Sequence, residues 1–144
     1  MKTKQPTSAA RKPPDLPVIE LRSPCPIGAA LEIVGDRWTL LLIRDLLFAK
    51  KTKFAQFEAS PERIPSNVLA DRLKKLESAG IVTKQAYQLR PTRYEYHLTP
   101  AGSDLFGVLA AMVRWGSEHL PNTAQVSEAR LAEMAQHGFN RPDE

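Results

Sequence analysis

The sequence predicts a mainly helical α+β domain with one β-hairpin set among its helices and a long helix towards the C-terminus. Three observations predict this. Apolar residues recur at three- and four-residue spacing through most of the stretch from Ile27 to His119. The stretch from Ile81 to Leu98 is instead β-prone and carries aromatics on alternate positions. Pro, Gly and Ser punctuation divides the helical part into short segments. The chain has 144 residues, 42% of them hydrophobic and 25% charged. That suits a single soluble domain, which at this size buries roughly two-thirds of its unfolded surface. A lone cysteine rules out an internal disulfide.

The elements follow in order. Residues 1–17 hold Pro6, Pro13, Pro14 and Pro17 among small and basic residues, a composition that cannot fill a core, and are expected to form a flexible basic arm. Val18-Ile19-Glu20-Leu21 is a short β-prone run. Pro26 suits a helical first turn, Ile27, Ala30, Leu31 and Val34 repeat on one face, and Gly35 ends that helix. Asp36 can cap the next segment, Arg37 to Ala49, whose apolar residues cover nearly the whole wheel and predict a central, buried helix. Lys53 to Ala59 carries Phe54 and Phe57 on one side and stops at Ser60-Pro61. Ser66 is a natural N-cap for the helix to Ala79, in which Leu69, Leu73 and Leu76 form a narrow apolar stripe that ends at Gly80. Asn67, Asp71, Lys74 and Ser78 lie opposite the stripe, with Ala70, Arg72 and Lys75 on its shoulders.

Two β-prone runs, Ile81 to Tyr87 and Arg93 to Leu98, predict a hairpin with a basic tip. Thr99-Pro100 opens a helix to about His119, whose apolar residues span about half the wheel. One core contact needs only a stripe of ~100°, so this helix has a second surface to bury. Ser127 to His137 reads as a further short helix. The expected organisation is a flexible arm over 1–17, a domain over 18–120, and a C-terminal tail over 121–144 containing that helix.

Charge is distributed unevenly. Residues 1–15 sum to +3, 16–36 to −2, 37–93 to +7 and 94–144 to −4. A positive middle with a negative C-terminal part suits a molecule with one surface for a polyanion and another for a different task. The longest apolar run, Leu40 to Ala49, is broken by Arg44 and Asp45 and is far short of the ~20 residues of a bilayer span. No signal-peptide pattern follows the basic N-terminus, so a cytoplasmic protein without membrane contact is expected. His97, His119 and His137 fall at no metal-ligand spacing, and no phosphate-binding loop or nucleophile-elbow motif is present, so neither enzyme chemistry, a metal nor a cofactor is expected.

Helix, helix, helix, turn, helix, hairpin, long helix is the order of a winged helix-turn-helix, with the hairpin as wing. Several strings sharpen this: Cys25-Pro26; Asp36-Arg37-Trp38; Phe54 and Phe57; Ile64-Pro65-Ser66-Asn67-Val68-Leu69; Arg72-Leu73-Lys74-Lys75-Leu76-Glu77; Gly80-Ile81-Val82; Pro91-Thr92-Arg93-Tyr94-Glu95-Tyr96; Leu98-Thr99; and Trp115-Gly116. In this order the chain resembles the HxlR-type branch of the MarR-like bacterial transcription regulators over roughly 90 residues. Pro65 and Asn67 depart from the pattern.

The resemblance implies a homodimeric, sequence-specific repressor or activator on double-stranded DNA, with helix 66–79 as reader. The residues agree with that reading. Ser66 and Asn67 at a helix N-terminus can donate to phosphate or a base edge, and Asn suits adenine. Ala70 belongs to the same outward surface. Asp71 either accepts from cytosine or serves as a capping and solubilising group. Lys74 and Lys75 neutralise phosphates; Arg72 does the same or reads guanine. Arg90 and Arg93 reach the backbone or a narrow minor groove. Leu105, Leu109, Met112 and Trp115 form a dimer seam, the alternative being the lining of a small-ligand pocket.

Cys25 has two readings: a small packing residue, or, as in some members of the family, a sensor of oxidants or electrophiles. The basic arm either tracks a neighbouring groove or is an idle tail. A small molecule or an oxidant is the expected class of effector. The rival reading from another class is a winged-helix module for protein association without DNA binding.

Overall fold

A computed structural model describes residues 16–17 and 20–137. The arm over 1–15, and Val18-Ile19 of the β-prone run, lie outside the described residues; Glu20 and Leu21, the rest of that run, form no strand. The described elements are α1 (Pro26–Val34), α2 (Thr39–Leu47), α3 (Phe54–Glu58), α4 (Ser66–Ser78), β1 (Val82–Leu89), β2 (Thr92–Leu98), α5 (Pro100–Ser103), α6 (Phe106–His119) and α7 (Glu128–His137). This is a winged helix-turn-helix.

The core is built where the sequence repeats point inward. Leu42, Ile43 and Leu47 of α2, Phe57 of α3, Leu69, Leu73 and Leu76 of α4, Ile81 and Val82 at the hairpin base and Leu109 of α6 form one buried cluster. The α2 helix is central but not apolar on all sides, because Asp45 and Thr39 are buried with its leucines. The α1 helix contributes little: Val34 is buried, whereas Ile27 and Leu31 of the expected apolar face are exposed.

Gly80 ends α4 with φ +76°. Its N–H donates to Glu77 O at 3.1 Å, and Ile81 N–H donates to Leu76 O at 2.9 Å. These are the paired bonds of a Schellman motif, and the positive φ is what glycine supplies there. The chain turns directly into β1, which pairs antiparallel with β2 from Val82 opposite Leu98 to Leu89 opposite Thr92, with a bulge at Tyr87. Tyr96 N–H also donates to Thr52 O at 2.8 Å, and Lys53 bridges Glu95, so the segment entering α3 lines the far edge of β2.

The expected single helix over Pro100 to His119 is two. Thr99 caps α5, accepting from Gly102 N–H at 3.1 Å, and its hydroxyl donates to Gly80 O at 2.6 Å. Gly102 packs so closely under the hairpin that a Cβ would lie 2.3 Å from Ile81 O. This clamp fixes α5, and a turn at Asp104-Leu105 then redirects the chain as α6. The helical period continues across the break, which is why the sequence does not reveal it.

Candidate nucleic-acid interface

The α4 helix is seated by Leu69, Leu73 and Leu76, which are all buried. At 100° per residue this turns Asn67, Ala70, Asp71, Lys74, Lys75 and Ser78 outward, and each of them is exposed. Ser66 does not cap the helix, as expected from sequence; it is the first helical residue. Pro65, extended at φ −61° and ψ 142°, takes the cap position, and its carbonyl accepts from Leu69 N–H at 2.9 Å. The Ser66 hydroxyl, freed from capping, donates to Glu58 Oε2 at 2.6 Å and ties the end of α3 to the first turn of α4.

Arg72 is held rather than free. Its side chain is 22% exposed, Nε donates to Asp36 Oδ1 at 3.0 Å, and Nη1 donates to Asp71 Oδ2 at 2.5 Å. Lys75 Nζ lies 3.2 Å from the same Asp71 oxygen. Arg72 thus braces α4 against the start of α2, and both its bonds would have to break before it reached a phosphate or a guanine. Asp71 is occupied by two cations. Lys74 has no ion-pair partner among the described residues and is exposed, as a phosphate-neutralising group requires.

Asp36 anchors this arrangement. Its Oδ1 accepts from Trp38 N–H at 2.9 Å and Thr39 N–H at 3.0 Å, and its Oδ2 accepts from the Thr39 hydroxyl. Burial pushes the Asp36 carboxyl up, but the bonds from Thr39, Trp38 and Arg72 outweigh it and hold the group below the usual carboxylate range.

On the wing, Arg90 occupies the two-residue connection between Leu89 and Thr92, Arg93 follows opposite Gln88, and both are exposed. Two lysines that the sequence did not single out stand over tyrosine rings: Lys53 over Tyr87 at 4.5 Å and Lys84 over Tyr94 at 4.6 Å.

A second polar cluster lies behind the helix-turn-helix and was missed from sequence. Asp45 is 3% exposed. It accepts from Arg44 Nε at 3.1 Å and Nη2 at 2.9 Å and from the Ser60 hydroxyl, and Lys51 Nζ lies 3.7 Å away. Arg44 also grips both oxygens of Glu62 at 2.7 Å each. That fork holds the Glu62 carboxyl below its usual range. The available signal was the break in the apolar run of α2 at Arg44-Asp45; the identity of the partners was not legible.

The four expected seam residues divide into two pairs. Leu109 is 7% exposed and Leu105 is partly buried against the same core, so both serve their own subunit. Met112 and Trp115 are 53% and 59% exposed and share an outward face with Val108. Cys25 is exposed at the N-cap of α1. A groove of about 580 Å³ between α1, the start of α2 and the flank of α4 is lined by Leu31, Asp36, Thr39, Arg72, Leu76 and Ala79, among others. Among the described residues no helix is long and apolar enough to cross a membrane, and no three His, Cys, Asp or Glu side chains are grouped to hold a metal ion.

The model of the HxlR-like helix-turn-helix family matches residues 33–124. This chain belongs to the HxlR-like family. The HxlR-like match runs from the end of α1 to beyond α6. Among its relatives is the uncharacterized HTH-type transcriptional regulator Rv3095 of Mycobacterium tuberculosis, 42% identical over 95 residues, covering 66% of this chain and 59% of the relative. The chain therefore matches well under two-thirds of that protein's length. The uncharacterized HTH-type transcriptional regulator YdeP of Bacillus subtilis is 31% identical over 109 residues, covering 76% of this chain and 84% of the relative. Among solved structures, the redox regulator HypR in its reduced form superposes with a TM-score of 0.61 at 28% identity, covering 67% of this HxlR-like chain and 95% of HypR. The family and these relatives are transcriptional regulators.

Proposed function

We propose that this chain is a cytoplasmic, sequence-specific DNA-binding transcription regulator that acts as a homodimer on a pseudo-palindromic operator. Residues 18–120 form the DNA-binding and dimerisation unit, and 121–144 are a tail attached to it. The observation that carries the proposal is the orientation of α4: its leucines are buried and its polar face, with Asn67, Asp71, Lys74 and Lys75, is open to solvent. In the major groove Asn67 is placed to read a base edge near the helix N-terminus, and Lys74 and Lys75 to neutralise phosphates. Arg90 and Arg93 carry the wing to the flanking backbone. Two copies joined through Val108, Met112 and Trp115 place one α4 per half-site, with half-sites about 34 Å or somewhat more apart.

Cys25 is the input for an oxidant. Its thiol is exposed, and HypR, a structural neighbour, is a redox regulator. With one cysteine per chain the oxidised product is a disulfide between subunits or with a small thiol. The groove beside Arg72 is the place for a small-molecule effector.

The test is binding to short duplex DNA across a salt series. A phosphate-tracking dimer gives a steep decline of log K with log salt concentration, and Lys74→Ala lowers that slope by about one unit. A flat dependence in the parent chain removes the DNA reading and leaves a module for protein association.

A further inference from the structure

The Asp45 cluster has no place in the contacts above, yet it is joined to the turn that delivers α4. Asp45 and Arg44 lie in α2; their partners Ser60 and Glu62 lie between α3 and α4, within six residues of Ser66. Lys51 closes the ring, donating to the Ser60 hydroxyl at 2.7 Å, and its N–H donates to Asp45 O at 3.1 Å. The two connections flanking α3 both pass through left-handed backbone at non-glycine residues, Lys50 at φ 50° and Arg63 at φ 56°. L-residues hold that conformation only where neighbouring contacts over-determine it. The Arg44–Glu62 fork is planar and bidentate, so it fixes direction as well as distance. Arg63 stands next to Glu62 and two residues before the Pro65 cap, which leaves little freedom for the first turn of α4.

We propose that Asp45, Arg44 and Glu62 are positioning residues for sequence discrimination: the buried Ser60–Asp45–Arg44–Glu62 chain sets the angle at which Asn67 and its neighbours are presented to a base pair. This rests on the DNA-binding reading. None of the three touches DNA; they act through the turn.

The experiment compares affinity for a duplex selected in vitro by the parent protein with affinity for a scrambled duplex of the same composition. Glu62→Gln and Asp45→Asn should lower the ratio of the two affinities roughly 3- to 30-fold, leaving the salt slope on scrambled DNA unchanged. Arg44→Lys, which keeps the charge and loses the fork, should behave like them. Arg114→Ala, which breaks the equally bidentate pair with Glu128 on the distant α6–α7 side, should leave the ratio intact. If Asp45→Asn does not fold, Glu62→Gln at the protein surface carries the test. An unchanged ratio in Glu62→Gln, or an equal loss on both duplexes, overturns the inference. A parent that binds DNA without discriminating overturns the inference alone, and a parent that binds no duplex overturns the DNA reading with it.

Discussion

Asp36 joins two elements through one carboxylate. Its oxygens satisfy N–H groups at the start of α2 and receive Arg72 from α4, 36 residues further along the chain. Capping was legible from sequence, because Asp before an apolar helical run has a local reason to be there. The grip on Arg72 was not, because it depends on how α4 lies across α2. The consequence is a stability that depends on pH. A carboxyl held below its usual range in the folded state contributes stability that is fully present above the unfolded value and lost as pH falls through the folded one. Asp36 and Glu62 are both of this kind. Urea unfolding midpoints should therefore fall between about pH 5 and pH 3. Asp36→Asn, which keeps a capping side chain, should show a shallower fall than the parent; an identical pH profile would remove Asp36 from the linkage.

The α6 helix shows how an element can satisfy two surfaces. Leu105 and Leu109, four apart, turn inward, whereas Val108, Met112 and Trp115, at spacings of four and three, turn outward. The breadth of the apolar arc was legible and correctly implied a second face. Its division was not, because the turn at Asp104-Leu105 fixes the rotation of α6 and that turn is set by Gly102 beneath Ile81. The two faces should respond differently to substitution. Trp115→Glu should convert a dimer to a monomer in light scattering at matched concentration with little change in melting, whereas Leu109→Ala should lower stability by about 2–5 kcal/mol through a cavity. A Trp115→Glu protein that remains dimeric would place the seam elsewhere. The exposed Ile27 and Leu31 of α1 were read from periodicity as core-facing, but periodicity reports only that a face is apolar, not what covers it.

Across the whole molecule, the basic excess is concentrated in residues 37–93, the stretch that contains α2 to α4 and most of the hairpin, and the acidic excess in 94–144, which contains α6 and α7. Arg72, Arg44 and Lys51 are spent on internal carboxylates, so fewer cations remain for a polyanion than the count suggests. Cys25 stands at the start of α1, away from that stretch in sequence, and any redox input must act through the assembly. Treating the parent with a mild oxidant should change its affinity for duplex DNA and leave Cys25→Ser unaffected; equal responses in the two proteins would remove the thiol from the mechanism.

What the sequence determined by itself was the list of elements, the inward stripe of α4 and the capping and stop signals, because each of these is a local property carried by residues within a turn or two. What only the tertiary structure decided was the use of side chains with distant partners: Arg72 as a brace, Arg44 and Asp45 as a buried hub, the split of α6 into two faces. Such contacts join residues far apart in the chain, and no local period encodes which of several similar charges or leucines will meet.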